Sequence, residues 1–130
     1  MNQPYQRKKV LVIEDEDLLR GILVEEFTEQ EVDVVAARDG LEGLELALAE
    51  QPDLIILDLV MPRLDGMSML KKLREDEWGK QARVLILTNA EGDFEKTMEA
   101  LRHDVYEYMV KTRWGLKDVV GRAKEKLGIV

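Results

Sequence analysis

The sequence predicts an α/β domain built on a single doubly wound, five-stranded parallel sheet. Five short β-branched or leucine-rich runs alternate with five segments whose apolar residues recur at helical spacing. The central runs are apolar throughout rather than alternating with polar residues, which is typical of strands covered by helices on both faces. Strict alternation of strand and helix indicates parallel strands joined by right-handed crossovers. A chain of 130 residues has the length of one domain.

Each element follows from its local pattern. The predicted strands are residues 9–14, 32–37, 53–58, 82–88 and 105–110. Each helix is predicted from a stripe of apolar residues on one face. In chain order, the stripes contain Leu19, Ile22, Leu23 and Phe27; Leu41, Leu44 and Leu48; Met67, Leu70 and Leu73; Phe94, Met98 and Leu101; and Leu116, Val119, Val120, Ala123 and Leu127.

Turn-forming residues mark several helix ends. Asp39 and Gly40 open the second helix, and Gly115 and Gly128 lie near the limits of the fifth. Gly43 lies inside the second helix, where glycine costs about 1 kcal/mol relative to alanine. We therefore expect a close packing contact at Gly43.

Composition excludes several kinds of protein. The chain has 27 acidic and 19 basic residues and a net charge of −8, which argues against a nucleic-acid-binding surface. It has no cysteine, so disulfides and thiolate sites are absent, as in proteins of a reducing compartment. No apolar run approaches the roughly 20 residues that cross a bilayer. We therefore expect a cytoplasmic protein that binds neither membrane nor nucleic acid.

Polar side chains gather where the strands end. The first strand ends in Glu14 and Asp15, the third in Asp58, the fourth in Thr88, and Lys111 follows the fifth. In an open parallel sheet, sites form beyond the carboxyl ends of the strands, so these groups are expected to converge. Taken singly, each has an ordinary explanation, such as a helix-start acid, a turn residue or a solvated lysine. Their joint placement favours one site.

The chemistry of this set indicates phosphoryl transfer. Three clustered carboxylates repel one another unless a cation is present, and Mg²⁺ prefers oxygen ligands of this kind. A metal and a lysine can together neutralise charge on a phosphoryl group. An aspartate can attack phosphorus to form an acyl phosphate. Asp58 is the predicted nucleophile. His103, the only histidine, is interpreted as a surface residue.

Four segments resemble the receiver domain of bacterial two-component response regulators, in particular the stand-alone, chemotaxis-regulator-like receivers. These segments are IEDED, DLVMPRLDG, LTNA and YEYMVK. The resemblance covers the chain from Lys9 to Leu127. It implies the flavodoxin-like receiver fold with strand order 2-1-3-4-5. It also implies an N-terminal arm over residues 1–8, a receiver domain over 9–128 and no output domain.

The resemblance assigns a role to each site residue. Asp58 matches the phosphorylated aspartate, and it binds Mg²⁺ (or Mn²⁺) together with Glu14, Asp15 and the backbone carbonyl of Val60. Thr88 and Lys111 match residues that bind the phosphoryl group, and Tyr108 matches the aromatic residue whose orientation is coupled to Thr88. Pro62 and Gly66 match residues that shape the loop after Asp58.

The implied function is signalling. A histidine kinase or histidine phosphotransfer protein donates the phosphoryl group. The face formed by the fourth helix, fifth strand and fifth helix then switches toward a downstream protein target, as a monomer or a phosphorylation-dependent homodimer. The domain is not an enzyme in the usual sense, although it catalyses its own phosphoryl transfer and slow autodephosphorylation. The alternative is a receiver-like interaction domain that works without phosphorylation. A phosphohydrolase is disfavoured because Val60 stands where its second aspartate is needed.

The sequence departs from the family pattern at three places. Thr112 stands where a proline usually follows the lysine, and Asn89 replaces the small residue after the threonine. Asp104 and Val105 stand where a Gly-Ala pair commonly precedes the fifth strand. Val60 and Ala90 occupy the positions that tune hydrolysis of the acyl phosphate, and neither can orient a water molecule. We therefore expect a long-lived phosphorylated state.

Overall fold

The structure, a computed structural model, describes residues 7–59, 61, 63–88, 107–110 and 115–129. Thr88 and residues 107–110 are described by their backbone alone. The predicted fourth helix lies outside the described residues.

A five-stranded parallel sheet organises the domain. Its strands are β1 (Lys9–Ile13), β2 (Asp33–Ala37), β3 (Leu54–Leu57), β4 (Val84–Thr88) and β5 (Glu107–Val110). They are parallel and lie in the order β2-β1-β3-β4-β5. The predicted fold class and strand order are confirmed, and each strand begins and ends within two residues of its predicted limits.

Helices cover both faces of the sheet. They are α1 (Asp17–Glu29), α2 (Gly40–Glu50), α3 (Gly66–Glu75) and a C-terminal helix (Leu116–Leu127), with one turn of 3₁₀ helix at Gly79–Gln81. The predicted boundary residues cap α2 and the C-terminal helix. Asp39 accepts a hydrogen bond from the Glu42 N–H at 2.9 Å, and Gly128 ends the C-terminal helix with a φ of 73°. No helix among the described residues combines the length and apolar character that a bilayer span requires.

The sheet divides the core into two clusters. Successive residues of a strand point to opposite faces, so Leu11 and Ile13 face one side while Val10 and Val12 face the other. On the first side α2 and α3 supply Ala47, Met69, Leu70 and Leu73. On the second, α1 and the C-terminal helix supply Leu23, Phe27, Val119, Val120, Ala123 and Leu127.

The predicted buried face of α2 is wrong at two of its three leucines, because only Leu44 packs against the core. Leu41 and Leu48 are 42% and 38% exposed, whereas Gly40, Gly43 and Ala47 are buried. The reason is the close approach of α2 to β1, which leaves room for small residues at the line of contact. A Cβ atom on Gly43 would lie 2.6 Å from Cδ1 of Ile13. The close contact expected at Gly43 is therefore confirmed, whereas Leu41 and Leu48 lie at the margin of the buried face.

Candidate functional site

The site begins where β1 and β3 end side by side. Ile13 is paired with Leu57, and the next residues are Glu14 and Asp58. The N–H of Asp58 donates to the carbonyl of Ile13 at 3.1 Å, and the N–H of Glu14 donates to the carbonyl of Ala37 at 3.0 Å. Backbone hydrogen bonding thus continues one residue beyond the strands. Both acidic residues are carried on backbone that the sheet holds in place.

Three carboxylates meet at this edge. One carboxylate oxygen each from Glu14, Asp15 and Asp58 lies within 4.8 Å of the other two. Glu14 is 2% exposed and Asp58 is 4% exposed, whereas Asp15 is open to solvent. The structure therefore brings together the three acidic side chains that the sequence placed at the strand ends. The exposed Asp15 gives the cluster its solvent-facing side.

The donor set fits a hard divalent cation. Carboxylate oxygens are the ligands that Mg²⁺ prefers, and Mg²⁺ typically binds one or two carboxylates while keeping several water molecules. Burial of two of the three acids increases the electrostatic cost of holding them together without a cation, since solvent screens their repulsion less. Glu14, Asp15 and Asp58 are thus suited to hold one Mg²⁺ or Mn²⁺ ion.

The turn between β1 and α1 is tightly hydrogen-bonded. The carboxylate of Glu14 accepts from the N–H of Glu16 at 3.0 Å. Nη1 of Arg20, one turn into α1, donates to the carbonyls of Glu14 and Asp15 at 2.9 and 3.4 Å. Nη2 of Arg20 pairs with the carboxylate of Asp17. Sequence reasoning did not identify Arg20. The only signal was a basic residue close behind an acidic run, which does not specify the partner of a long side chain.

The loop after Asp58 approaches Gly66 closely. A Cβ atom on Gly66 would lie 2.6 Å from Cα of Leu59 and would collide with the carbonyl oxygen of Asp58. The N–H of Gly66 donates to the carbonyl of Leu59 at 3.1 Å. Only glycine allows α3 to start this close to the backbone that carries Asp58.

The same loop is held from its other side by α2. Nη1 of Arg63, whose φ is 68°, lies 3.2 Å from Oδ2 of Asp39. A Cβ atom on Gly40 would lie 2.7 Å from the carbonyl carbon of Leu64. The start of α2 therefore rests directly on the segment that follows Asp58. Neither the ion pair nor this contact was predicted from the sequence.

The other predicted site residues are placed less completely. The backbone of Thr88 ends β4 at the same edge of the sheet. Tyr108 of β5 is paired with Ile86 of β4. Their side-chain roles stay predictions. Several residues lie outside the described part of the chain, and their roles also stay predictions: Val60, Pro62 and Lys111, together with Asn89, Ala90, His103 and Thr112.

Known proteins resemble this chain in sequence. The family model of the response regulator receiver domain matches residues 10–120. The alkaline phosphatase synthesis transcriptional regulatory protein PhoP of Bacillus subtilis is 36% identical over 104 residues, which are 80% of this chain and 42% of that protein. The Regulator of RpoS of Escherichia coli is 35% identical over 111 residues, which are 85% of this chain and 32% of that protein. The chain thus spans less than half the length of these relatives.

Solved structures resemble it over nearly the whole chain. The receiver domain of the Francisella response regulator 1452 superposes with a TM-score of 0.83 at 30% identity, covering 94% of this chain and 98% of that one. The chemotaxis protein CheY4 of Vibrio cholerae gives a TM-score of 0.83 at 26% identity, covering 92% of this chain and 98% of that one. Together with the match over residues 10–120, these likenesses establish that the chain belongs to the response regulator receiver domain family of two-component signalling.

Proposed function

We propose that this domain accepts a phosphoryl group on Asp58 and transmits the change by protein–protein contact. One observation supports this above all: the nearly buried carboxylate of Asp58 lies within 4.8 Å of the carboxylates of Glu14 and Asp15. A buried acid surrounded by acids costs stability unless a cation or chemistry requires it there.

The proposed reaction is an in-line displacement at phosphorus. An oxygen of the Asp58 carboxylate forms the new O–P bond, and the P–N bond of a phosphohistidine donor breaks with its electron pair returning to the imidazole. The product is an acyl phosphate on Asp58. A bound Mg²⁺ supplies positive charge that offsets the charge on the phosphoryl oxygens. Glu14, Asp15, Asp58 and the Val60 carbonyl are the proposed ligands.

The remaining roles follow from the family resemblance. Lys111 pairs with the phosphoryl group, the hydroxyl of Thr88 turns toward it, and Tyr108 follows Thr88. The response is then a shift between two pre-existing conformations of the face formed by the fourth helix, β5 and the C-terminal helix. In this proposal the domain is a signalling module that catalyses its own phosphorylation and slow dephosphorylation, rather than an enzyme with a separate substrate.

The proposed partners are proteins of a cytoplasmic two-component pathway. A histidine kinase or a histidine phosphotransfer protein donates the phosphoryl group, and a downstream protein target binds the switched face. The domain works as a monomer or a phosphorylation-dependent homodimer. The sequence relatives are named as transcriptional and RpoS regulators. The acidic balance of this chain, with net charge −8, favours protein rather than nucleic-acid contacts within the domain itself.

The test is intact mass after incubation with acetyl phosphate and Mg²⁺. We expect the mass of one phosphoryl group to be added to the wild type, and none to Asp58→Asn or to wild type in excess chelator. Asp65→Asn is a matched control. Asp65 is an exposed acid in the same loop that caps α3 through the Ser68 N–H at 2.9 Å, a hydrogen bond that asparagine also accepts. This control must phosphorylate like the wild type.

Two outcomes would change the proposal. A wild type that binds Mg²⁺ but gains no mass supports the alternative, a receiver that acts by interaction alone, and makes Asn89 and Thr112 the first positions to revert. Phosphorylation that persists in Asp58→Asn assigns the nucleophile elsewhere. The phosphorylated state is expected to be long-lived, and a half-life of seconds in Mg²⁺ would contradict the interpretation of Val60 and Ala90.

A further inference from the structure

Arg20 is a cationic side chain that hydrogen-bonds to the acidic turn between β1 and α1. Its guanidinium donates to the carbonyl of Glu14 at 2.9 Å and to that of Asp15 at 3.4 Å, and its other terminal nitrogen pairs with Asp17. The side chain of Arg20 is only 17% exposed, whereas that of Asp17 is 86% exposed. The guanidinium therefore lies against the backbone of the turn rather than in solvent.

We propose that Arg20 is a positioning residue that fixes the geometry of the Glu14 and Asp15 pair for cation binding. This inference rests on the proposed function, since it concerns the same cation site. Arg20 is not itself a ligand: a cation cannot coordinate a cation. It acts through the two consecutive peptide carbonyls, whose orientation determines where the two carboxylates point.

The backbone N–H, the backbone carbonyl and one carboxylate oxygen of Glu14 each take part in a hydrogen bond. Its N–H donates to Ala37 at 3.0 Å, and its carboxylate accepts from the N–H of Glu16 at 3.0 Å. Its carbonyl accepts from Arg20. Asp15 is held less firmly than Glu14, because its side chain is exposed to solvent. Its backbone carbonyl accepts a hydrogen bond from Arg20. Loss of Arg20 should therefore loosen Asp15 more than Glu14.

The chemistry of the guanidinium suits this task. Its planar fork presents several N–H donors at fixed angles, so one group can bind two carbonyls and a carboxylate at once. A lysine ammonium in the same place carries the charge but lacks the rigid fork. Retention of charge and retention of geometry can therefore be separated by substitution.

A positioning role and simple charge repulsion predict opposite changes in cation affinity when the guanidinium of Arg20 is removed. Removing a positive charge beside a cation site, with no other effect, should tighten the binding of every divalent cation because repulsion falls. Removing a group that orients the ligands should weaken binding. The loss should be greater for Mg²⁺, which demands near-ideal octahedral geometry, than for Ca²⁺, which tolerates irregular coordination.

The experiment is calorimetric titration of Mg²⁺ and of Ca²⁺ into wild type, Arg20→Gln and Arg20→Lys at fixed ionic strength. Thermal unfolding of each metal-free protein is recorded alongside. The matched control is Arg122→Gln, which removes another i,i+3 arginine–acid pair, with Glu125 at 3.3 Å on the C-terminal helix. It must bind both ions like the wild type.

We expect the Mg²⁺ dissociation constant of Arg20→Gln to rise on the order of 10-fold, as when groups that orient metal ligands are removed. The rise for Ca²⁺ should be smaller, and Arg20→Lys should restore only part of the loss. Unchanged or tighter Mg²⁺ binding in a folded Arg20→Gln protein overturns the inference. So does a lowered unfolding temperature without a change in affinity, which would assign Arg20 a purely structural role.

Arg20→Lys keeps the inference testable if Arg20→Gln fails to fold, since lysine retains the aliphatic stem and the charge. Wild-type affinity in Arg20→Lys would then overturn it. Failure of the proposed function can be distinguished from failure of the inference about Arg20. In that case the wild type itself would bind no Mg²⁺ or accept no phosphoryl group.

Discussion

Ile13 of β1 fills the space that a side chain on Gly43 of α2 would need. A Cβ atom at Gly43 would lie 2.6 Å from Cδ1 of Ile13 and 2.9 Å from both Cγ atoms. Ile13 is fully buried and β-branched, so it has little freedom to move aside. Ile13 also directly precedes Glu14. This contact therefore links the packing of α2 to the strand end that carries the acidic cluster.

Gly43→Ala should destabilise the domain although alanine is the better helix former. The gain in helix propensity is about 1 kcal/mol, whereas overpacking a tight core costs about 1–3 kcal/mol. Urea unfolding should show a net loss of about 1 kcal/mol. The matched controls are Gly21→Ala in α1 and Gly121→Ala in the C-terminal helix, where an added Cβ meets nothing within 4 Å. Both controls should raise stability, and a stabilised Gly43→Ala would contradict the close approach.

Gly66→Ala should be more harmful, because the obstacle is backbone. The added methyl group would collide with the carbonyl of Asp58 and lie 2.6 Å from Cα of Leu59. Relief requires the loop or α3 to move, so the loss of unfolding free energy should reach or exceed the upper end of the ~1–3 kcal/mol range for overpacking. Mg²⁺ affinity of the folded fraction should fall as well, measured by calorimetry. Wild-type affinity in a destabilised protein would show that the shift does not reach Asp58.

Asp39 combines a helix cap with an ion pair, and two substitutions separate them. Asp39→Ala loses the cap on the Glu42 N–H and should cost about 1–2 kcal/mol. Asp39→Asn keeps a capping oxygen and loses only the charge facing Arg63. Because Arg63 is 66% exposed, that pair should contribute less than about 1 kcal/mol. Arg63→Gln should lower the free energy of unfolding slightly in the wild type and not at all in Asp39→Asn. If the double variant instead lost the sum of the two single losses, the two side chains would not form a stabilising pair.

Because of Lys9, the free energy of unfolding should decrease as pH rises through the alkaline range. A hydrogen bond to Glu50, with the charges of Glu50, Asp33 and Asp53, raises the pKa of Lys9 above 10.5. A group with a raised pKa in the folded state contributes stability that is present below its unfolded pKa and is lost as pH rises through the folded value. The Nζ atom lies 2.8 Å from Oε1 of Glu50, but both side chains are partly exposed, so the effect is modest.

The measurement compares wild type with Lys9→Met by urea unfolding at roughly pH 8 and at steps of pH above the ordinary lysine pKa of roughly 10.4, where the contribution of the ammonium begins to be lost. The stability difference between the two proteins should shrink at the higher pH. A difference that stays constant would mean that packing of the lysine stem, rather than its charge, stabilises the fold.

The sheet and its acidic edge were predictable because they depend on patterns that repeat along the chain. Alternation of strand and helix determines parallel strands, and parallel strands bring their carboxyl ends to one edge. Glu14 and Asp58 could therefore be placed together from their positions in the sequence alone.

The face of α2 was not predictable by the same reasoning. Large apolar side chains usually mark the buried face of a helix, yet Gly43 packs on Ile13 of β1 and Ala47 is buried, while Leu41 and Leu48 are exposed. The distance between a helix and a sheet decides which size of residue fits, and a periodic pattern contains no information on that distance.

Arg20 and Arg63 were missed for a different reason. Each is a long, flexible side chain whose partners come from its surroundings: two carbonyls for Arg20 and a residue of another loop for Arg63. Sequence shows that such a charge exists. Only the folded backbone shows which acceptor it can reach.

The division of the core by the sheet has a consequence for how substitutions combine. The two hydrophobic clusters share no residue, and each is completed by its own helices. Energies of distant substitutions without common neighbours add. When Leu70 on one side and Phe27 on the other are both truncated, the loss of unfolding free energy should therefore equal the sum of the two separate losses. When Leu70 and Leu73 on the same side are both truncated, the loss should differ from that sum. The residues of one core cluster can thus change in sequence independently of those of the other. The strand ends between the two clusters still hold the carboxylates in the same relative positions.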